Sequence, residues 1–422
     1  MKRKLVLSPY KIFLVGLIGL AQGVIYLLPY MIGPFAIPLQ EMLGVSRAQL
    51  GQLISVYGIV MWISLVPGGW LADRFEARKL VSIALILSGF VGFSLTLLPY
   101  FSYFMVMWIV MSVLQNMLYW SAAIKFVRIS TTEEEQGKAY GYSYAFNALA
   151  GTLIGFLGVW LLVIAGDDAA LGLRNTIIAY SILNVLIGIA IWVFFRNIKN
   201  AKGASSEEDA RPTIKEMLSV LKLKETWGIS ILCFCLYSLQ ILILSYFTQF
   251  FYDVLGMTEA QSAGIYFSIQ FVAVLGPIIA GTLSDKLGTV IRVIIIATAL
   301  LTAILAVILV VSQGLSIWMA IVICVVAVFL ARGAYSQQFA AFDELKLDRK
   351  IAGSCIGVAS IIGFAPDIFI WTLFGWILDT QGNRGYTYIF AILLGMAAIG
   401  LFAASMLGKW AKNSAKLADE TT

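Results

Sequence analysis

The chain has 422 residues, of which 60% are hydrophobic and 12% are charged. Soluble globular proteins carry about 25% charged residues, so this composition excludes that class. The formal net charge of +6 does not indicate nucleic-acid binding, because an excess of Lys and Arg in a membrane protein reports topology. Apolar runs of about 20 residues, enough to cross a bilayer, recur from end to end and predict an all-α membrane protein.

The N-terminal stretch MKRKLVLSPYK is basic and leads into an apolar run without a small-residue cleavage pattern. We therefore expect a cytoplasmic tail before an uncleaved first crossing, not a signal peptide. Polar stretches then separate twelve predicted transmembrane helices. They cover residues 12–40, 46–72, 79–99, 102–130, 138–165, 174–196, 226–253, 258–284, 290–312, 316–343, 350–379 and 385–408.

A long hydrophilic stretch, RNIKNAKGASSEEDARPTIKEMLSVLKLKE, separates the sixth and seventh helices. Its Gly, Ser, Pro and mixed charges predict a linker with one short amphipathic helix. The predicted domains are an N-terminal six-helix half (1–197), a cytoplasmic linker (198–224) and a C-terminal six-helix half (225–422). With both termini in the cytoplasm, only Arg47, Arg174 and Arg384 fall in outward loops, and this bias predicts that orientation.

Two loops of the sequence are alike at a constant offset of 212 residues. PGGWLADRFEARK at 67–79 places Gly69 where AGTLSDKLGTVIR at 280–292 has Gly281, and LGVSRAQ at 43–49 matches LGMTEAQ at 255–261. The repeat predicts two pseudo-symmetric six-helix bundles, with a substrate site near the membrane midplane. Ser46 and Thr258 are predicted to cap the second helix of each bundle.

The charged residues inside predicted helices include Lys125 and Arg128 in helix 4, Arg332 in helix 10 and Asp367 in helix 11. A charge at the bilayer centre costs about 2.5–3.5 kcal/mol, so Arg332 and Asp367 need partners or a water-filled cavity. Either they neutralise each other, or Arg332 binds an anionic group and Asp367 exchanges a proton. Pro366 is expected to bend helix 11 beside Asp367.

Lys125 and Arg128 share one face of helix 4. They either extend to the cytoplasmic surface or face the transport path. Asp343 and Glu344, at the end of helix 10, are expected to pair with Lys346 or Lys350.

Several kinds of chemistry have no support in the sequence. The chain has no His, so a proton relay would use Asp or Glu, and Asp367 is the best-placed coupling residue. There is no phosphate-binding loop, no H-E-x-x-H and no acidic cluster with metal-ligand spacing. The four Cys lie in apolar segments. We therefore expect no enzyme activity, no metal site and no cofactor.

The loop at 67–79 resembles the signature loop of the major facilitator superfamily, which lies between helices 2 and 3. The matching positions are Gly69, Asp73, Arg74, Arg78 and Lys79, while Glu76 stands where that family usually has glycine. The weaker second copy consists of Gly281, Asp285, Lys286, Gly288 and Arg292. The resemblance implies that these residues form a gate on the cytoplasmic side, in which Gly69 allows a close helix approach. Alternatively, the basic residues only set topology.

The same resemblance implies that helices 1 and 7 line the transport path. Helix 1 offers Gln22 and Tyr26, and helix 7 offers Tyr237 and Gln240. Asn147 in helix 5 is a further candidate. Hydroxyls and amides at these positions can bind substrate without the cost of a charge. Aromatic packing is the alternative role for the tyrosines.

A weaker resemblance, in the sequences of helices 2, 10 and 11, is to bacterial sugar-phosphate and organic-anion permeases. It implies secondary transport of a small organic anion, of carboxylate or sulfonate type, by alternating access with proton symport. The protein would act as a monomer in the bacterial cytoplasmic membrane. Export of amphipathic or drug-like compounds and ligand sensing are the alternatives.

Overall fold

The computed structural model of the chain describes residues 8–196, 220–311, 314, 316–338, 340–345 and 349–420. These residues form helices and contain no strand. Most of the predicted linker at 198–224, with its short helix, lies outside the described residues. The chain divides into two compact units: unit 1 contains Met1–Ser206 and Thr258–Phe267, and unit 2 contains Glu207–Met257 and Ser268–Thr422.

The first half of the chain forms six helical segments. They are α1 (Pro9–Ile25 and Ile32–Leu43, joined by a 3-10 turn at Pro29–Met31), α2 (Arg47–Arg74), α3 (Ala77–Leu97), α4 (Phe101–Ser112, Val113–Trp120 and Ser121–Ser130), α5 (Glu133–Ala165) and α6 (Ala169–Phe194).

The second half of the chain forms six more segments and one additional turn of helix, Ala341–Glu344. The six are α7 (Lys224–Asp253), α8 (Glu259–Val272 and Leu275–Leu287), α9 (Val290–Val311), α10 (Ile317–Gln337), α11 (Arg349–Gly363 and Pro366–Gln381) and α12 (Gly385–Glu420).

The lengths of the segments agree with twelve crossings of a membrane. Among the described residues, nine helical stretches are long and apolar enough to cross, and two bent pairs raise this number to eleven. One of the nine, Cys355–Asn413, has 59 residues, about 88 Å as a straight helix, whereas a hydrocarbon core is about 30 Å thick. The turn at Gly382–Arg384 interrupts this stretch, so it supplies two crossings.

Several crossings are not regular helices. α1, predicted as a single helix over 12–40, bends by 55° between its two parts. Pro29 explains the break, because it has no N–H to continue the helical hydrogen bonds. α11 breaks before Pro366, as expected. α4 contains an eight-residue π-helix at Val113–Trp120, which no feature of the sequence predicts.

The predicted helix caps at the two copies of the repeat are confirmed. The Ser46 hydroxyl accepts from the N–H of Gln49 at 3.3 Å, and the Gln49 side chain accepts from the N–H of Ser46 at 2.9 Å. The Thr258 hydroxyl and the Gln261 side chain make the same reciprocal pair, at 3.2 and 3.0 Å. Two such capping boxes at the same offset support the repeat.

Close helix approach does not occur at Gly69, so that prediction is wrong. A Cβ atom placed on Gly69 would have no heavy atom within 4 Å. The tightly packed residue is its neighbour Gly68, where a Cβ would lie 2.8 Å from the carbonyl oxygen of Met117. In the second copy, a Cβ on Gly281 would be 3.8 Å from the side chain of Gln337, an ordinary contact.

Candidate functional site

Asp367 is the most deeply buried charged residue described in unit 2, with a side chain that is 0% exposed. Its Oδ2 accepts a hydrogen bond from the Tyr237 hydroxyl of α7 at 2.6 Å, and its Oδ1 accepts from the Trp371 indole N–H at 3.0 Å. The Tyr237 ring packs edge-on against Phe364, with ring centroids 4.9 Å apart. Two of the predicted residues, Asp367 and Tyr237, are therefore in direct contact.

Arg332 of α10 makes a hydrogen bond to α8. Its Nη2 donates to Oε1 of Gln270 at 2.8 Å, and the arginine is half-buried. α8 and α10 approach closely here, since a Cβ on Gly276 would lie 2.5 Å from the carbonyl oxygen of Phe329. A Cβ on Gly333, next to Arg332, would lie 3.2 Å from the carbonyl oxygen of Gly276, which is a less severe clash. Glycine at these positions brings the guanidinium within reach of Gln270.

Asp367 and Gln270, the partner of Arg332, lie near ends of interrupted helices. Asp367 is in the first turn of Pro366–Gln381, where the helix dipole favours a negative charge. Gln270 lies in the last turn of Glu259–Val272, where the dipole favours a positive charge such as that of Arg332. Broken helices inside membrane proteins commonly form substrate and ion sites. A direct pairing of Arg332 with Asp367 stays a prediction.

In unit 1, Tyr26 lies at the break of α1 and contacts several aromatic rings. Its ring centroid is 6.4 Å from that of Tyr30, 6.2 Å from Tyr119 and 6.5 Å from Trp120, and Tyr30 lies 5.5 Å from Tyr57. Tyr26, Tyr30 and Trp120 are half-buried. These rings form a partly exposed aromatic surface.

A buried network of neutral polar groups lies beside this surface. The Tyr57 hydroxyl donates to Oε1 of Gln115 at 2.7 Å and accepts from Nδ2 of Asn116 at 3.1 Å. Nε2 of Gln115 donates to the carbonyl oxygen of Ile25 at 2.9 Å. None of these residues is among those predicted above, although the polar pair Gln115–Asn116 in the apolar run VLQNMLYW is a signal for them.

The remaining predicted substrate residues are more dispersed. Gln22, Gln240 and Asn147 are half-buried on α1, α7 and α5. A Cβ on Gly23 would lie 2.6 Å from the Asn147 carbonyl oxygen, so α1 and α5 are closely packed there. Arg128 is exposed at the end of α4.

Lys125 is directed at the end of α2. Its ammonium group donates to the carbonyl oxygen of Ala72 at 2.5 Å and lies 3.5 Å from that of Asp73. A cation at these last carbonyls is favourable, because they carry the negative end of the helix dipole. Lys125 therefore connects α4 to the loop that contains the first copy of the family motif.

The predicted gating residues of the first loop are mostly exposed, and they contact aromatic rings and each other. Arg74 stacks 4.2 Å from the ring centroid of Trp70, and Arg78 lies 5.3 Å from that of Trp192. Glu76 pairs with Lys79 at 3.2 Å and with Arg78 at 3.5 Å. The hydrogen bond from Lys79 and the charges of Lys79 and Arg78 hold the pKa of Glu76 below its usual range.

The second loop is attached differently. Its Asp285 and Lys286 are exposed, and Gly288 adopts a left-handed conformation at φ 64° that ends α8. The carboxylate of Glu344 accepts hydrogen bonds from the Thr289 hydroxyl at 2.9 Å and from the backbone N–H of Ile291 at 3.3 Å and of Val290. Glu344 thus caps the start of α9. The expected partner Lys346 lies outside the described residues.

Among the residues that the structure describes, no group of His, Cys, Asp or Glu could hold a metal ion. Each unit contains one candidate group of side chains. One is the charged group of unit 2, with Asp367, Tyr237, Trp371, Arg332 and Gln270. The other is the neutral group of unit 1, with Tyr26, Tyr57, Gln115 and Asn116.

An all-helical chain with buried charges at broken crossings has the architecture of a multi-pass membrane transporter. The family described as Major Facilitator Superfamily matches residues 18–365, so the chain belongs to that superfamily. It is 28% identical over 392 residues to the inner membrane protein YqcE of Escherichia coli (strain K12), covering 92% of this chain and 91% of that protein.

Two more distant comparisons agree with this assignment. The chain is 21% identical over 396 residues to the probable galactarate/D-glucarate transporter GudP of Bacillus subtilis (strain 168), covering 85% of this chain and 84% of that protein. Its fold matches a bacterial homolog of the human lysosomal transporter Spinster with a TM-score of 0.74 at 15% identity, over 97% of this chain and 99% of that one. Family and fold are those of membrane transporters.

Proposed function

We propose that the chain is a secondary active transporter that moves a small organic anion across the bacterial cytoplasmic membrane by alternating access, coupled to protons. The observation that carries this proposal is Asp367, which is wholly buried in a broken crossing and contacts Tyr237 and Trp371. Ionisable residues inside membrane helices mark substrate and proton pathways. The termini would lie in the cytoplasm, and the protein would act as a monomer.

The contacts of Asp367 suit a group that gains and loses a proton. The indole of Trp371 can only donate, so Oδ1 remains an acceptor in both states. Oδ2 and the Tyr237 hydroxyl are 2.6 Å apart, and either oxygen can be the donor. When Oδ2 is protonated it donates to Tyr237, so the contact persists while the carboxyl group becomes neutral.

Arg332 would bind the anion. A guanidinium group offers several donors in a plane and binds a carboxylate through two of them, and Gln270 occupies one described donor. The relative GudP is a probable galactarate/D-glucarate transporter, and both compounds are sugar acids with two carboxylates. This supports a carboxylate over a sulfonate as the substrate group.

The other candidate residues would contribute in two ways. Gln22, Tyr26, Tyr237, Gln240 and Asn147 would bind uncharged parts of the substrate. Lys125 and Arg128 would attract the anion or hold the loop after α2. The gate would comprise Asp73, Arg74 and Arg78 of the first loop, with Gly281, Asp285 and Lys286 of the second.

The test is a thermal-unfolding screen of the purified protein in detergent. Galactarate, D-glucarate, monocarboxylates, sulfonates and phosphate esters are added to wild type, to Arg332→Gln and to the control Arg384→Gln, which changes an exposed arginine. A ligand at 100 times its Kd stabilises the protein by about 2.7 kcal/mol. We expect carboxylates to raise the unfolding temperature of wild type and of Arg384→Gln, but not of Arg332→Gln.

Two results would overturn the proposal. Hydrophobic and cationic compounds are included in the same screen; if they stabilise wild type and no anion does, the substrate is not an organic anion. If an anion stabilises Arg332→Gln as much as wild type, Arg332 does not bind the substrate.

A further inference from the structure

The break in α1 removes a backbone hydrogen bond. In a regular helix the N–H of residue 29 would donate to the carbonyl oxygen of Ile25, four residues earlier. Residue 29 is Pro, which has no N–H, and the helix ends at Ile25. A carbonyl that loses its helical donor inside a membrane needs a replacement, because no water is available in the bilayer core.

Gln115 of α4 supplies that replacement. Its Nε2 donates to the Ile25 carbonyl oxygen at 2.9 Å, and its side chain is 0% exposed. The backbone carbonyl oxygen of Gln115 also lies 3.5 Å from the Tyr26 hydroxyl. One residue of α4 therefore contacts α1 at the last residue before the break and at the first residue after it.

The amide of Gln115 is held in one orientation by its neighbours. An amide can be flipped so that oxygen and nitrogen exchange places. Here Oε1 accepts from the Tyr57 hydroxyl at 2.7 Å, and that hydroxyl accepts from Nδ2 of Asn116 at 3.1 Å. Asn116 also donates to the Ser112 carbonyl oxygen at 3.1 Å. This chain of bonds runs in one direction and keeps Nε2 pointed at Ile25.

The π-helix of α4 contains both amide side chains of the network, those of Gln115 and Asn116. Gln115 and Asn116 are adjacent in the chain, yet their side chains are 0% and 4% exposed. Both lie in the π-helix Val113–Trp120, and π-helical turns occur frequently at functional sites. The same stretch contains Tyr119 and Trp120, whose rings contact Tyr26.

We propose that Gln115 is a positioning residue of the transport pathway. It fixes the broken part of α1 by replacing the hydrogen bond that Pro29 removes, and so sets the positions of Tyr26 and Tyr30. The contribution of Tyr26 to substrate binding rests on the proposed function above. The positioning by Gln115 does not, and it can be tested without knowledge of the substrate.

The test is amide hydrogen exchange, followed by mass spectrometry, on the purified protein in detergent. Gln115→Met keeps the length of the side chain and removes both polar atoms. We expect the amides of residues 26–28, 30 and 31 to exchange about tenfold faster, the effect of losing one buried hydrogen bond. Pro29→Ala restores an N–H at residue 29, so exchange in the double variant should return to within about twofold of Pro29→Ala alone.

Asn184→Leu is the matched control, because Asn184 is a buried amide of unit 1 that bonds to Tyr180 within its own helix. It should leave exchange at residues 26–31 unchanged. Unchanged exchange in Gln115→Met, or a double variant that exchanges as fast as Gln115→Met, would overturn the proposal.

If Gln115→Met cannot be purified in a folded form, Tyr57→Phe replaces it. Loss of the Tyr57 hydroxyl frees the amide of Gln115 to turn and should accelerate the same amides about threefold. No acceleration in Tyr57→Phe would equally overturn the proposal. If no anion stabilises the protein in the thermal screen but Pro29→Ala restores slow exchange in the double variant, the positioning role of Gln115 stands. Only the proposed substrate class is then overturned.

Discussion

The interiors of the two units differ in charge. The polar groups described around Gln115 in unit 1 are all neutral, and each is in a hydrogen bond that can persist unchanged. Unit 2 instead buries Asp367 and partly buries Arg332. A neutral network holds one geometry, whereas a buried carboxyl group can change its charge state. The described interior of unit 1 is thus suited to hold one geometry, whereas that of unit 2 contains a group whose charge can change.

The loops that contain the repeated motif show a second difference. In unit 1 a cation, Lys125, binds the carbonyls at the end of α2. In unit 2 an anion, Glu344, binds the N–H groups of Val290 and Ile291 at the start of α9. Each charge is opposite in sign to the helix end that it contacts, which makes the contact favourable. The two halves therefore attach corresponding loops through opposite ends of different helices.

The largest expected effect comes from neutralising the charged interior of unit 2. In Asp367→Asn, the amide oxygen can accept from Trp371 and the amide nitrogen can donate to Tyr237, so the fold should be preserved. Proton-driven accumulation of the transported anion should fall by at least about tenfold, because the proton-binding group is lost. The measurement is uptake into proteoliposomes, with and without a pH gradient, of the anion that gives the largest thermal shift.

Asp379→Asn, an exposed acid on the same helix, is the control and should accumulate the anion as wild type does. Gradient-driven uptake that survives in Asp367→Asn would show that Asp367 is not the coupling group.

A charge introduced into the neutral interior of unit 1 should have the next largest effect. Gln115→Glu places a carboxylate against the Ile25 carbonyl oxygen and removes the donor that this oxygen needs. We expect a loss of stability of about 3 kcal/mol at neutral pH. The loss should shrink as the pH falls, since a protonated carboxyl group is neutral and can donate. Thermal unfolding between pH 5 and pH 8 would measure it, and a pH-independent loss would contradict this account.

The smallest effects concern the two loops. Glu344→Ala removes acceptors from the start of α9 and should cost about 1–2 kcal/mol. Lys125→Met should lower the stability by about 1 kcal/mol or less, because water can replace the lysine as donor to the carbonyl oxygens at the end of α2. Thermal unfolding of both variants, with Asp285→Ala as an exposed acid of the second loop, would compare them. Equal losses in the three variants would show that neither attachment is specific.

A further ionic contact lies outside the crossings of unit 1. Lys11 donates to Glu135 at 2.5 Å and so connects α1 to α5. This hydrogen bond, with that from the Thr132 backbone, holds the pKa of Glu135 below its usual range. The contact between Lys11 and Glu135 therefore stabilises the folded protein at a pH above the ordinary pKa of a glutamate. This stabilisation is lost as the pH falls through the lowered pKa of Glu135. This ion pair of unit 1 thus lies near the starts of α1 and α5, away from the neutral network around Gln115.

Much of the fold could be predicted because membrane helices are encoded locally. Crossing positions follow from apolar length, and the caps at Ser46 and Thr258 follow from their own first turns. The break beside Asp367 could be anticipated because Pro366 imposes it. The break at Pro29 carries the same local signal, but a long apolar run hides it.

The contacts within the site could be predicted less well. Asp367 and Tyr237 are both identifiable in the sequence, since each is a polar group in an apolar run. Their hydrogen bond could not be predicted, because it joins residues 130 positions apart. The same limit explains Gly69, whose neighbour Gly68 makes the close approach to α4 instead. A one-residue shift on a helix turns a side chain by about 100°.

The sequence by itself determined the class of protein, the number of crossings, the repeat and the residues that carry charge into the membrane. These follow from composition and from spacing along the chain, which local physical chemistry converts directly into helices. Only the tertiary structure decided which polar groups meet. Lys125 binds α2, Glu344 caps α9 and Gln115 replaces the bond lost at Pro29 because separate helices pack at particular depths and rotations. No local pattern specifies that packing.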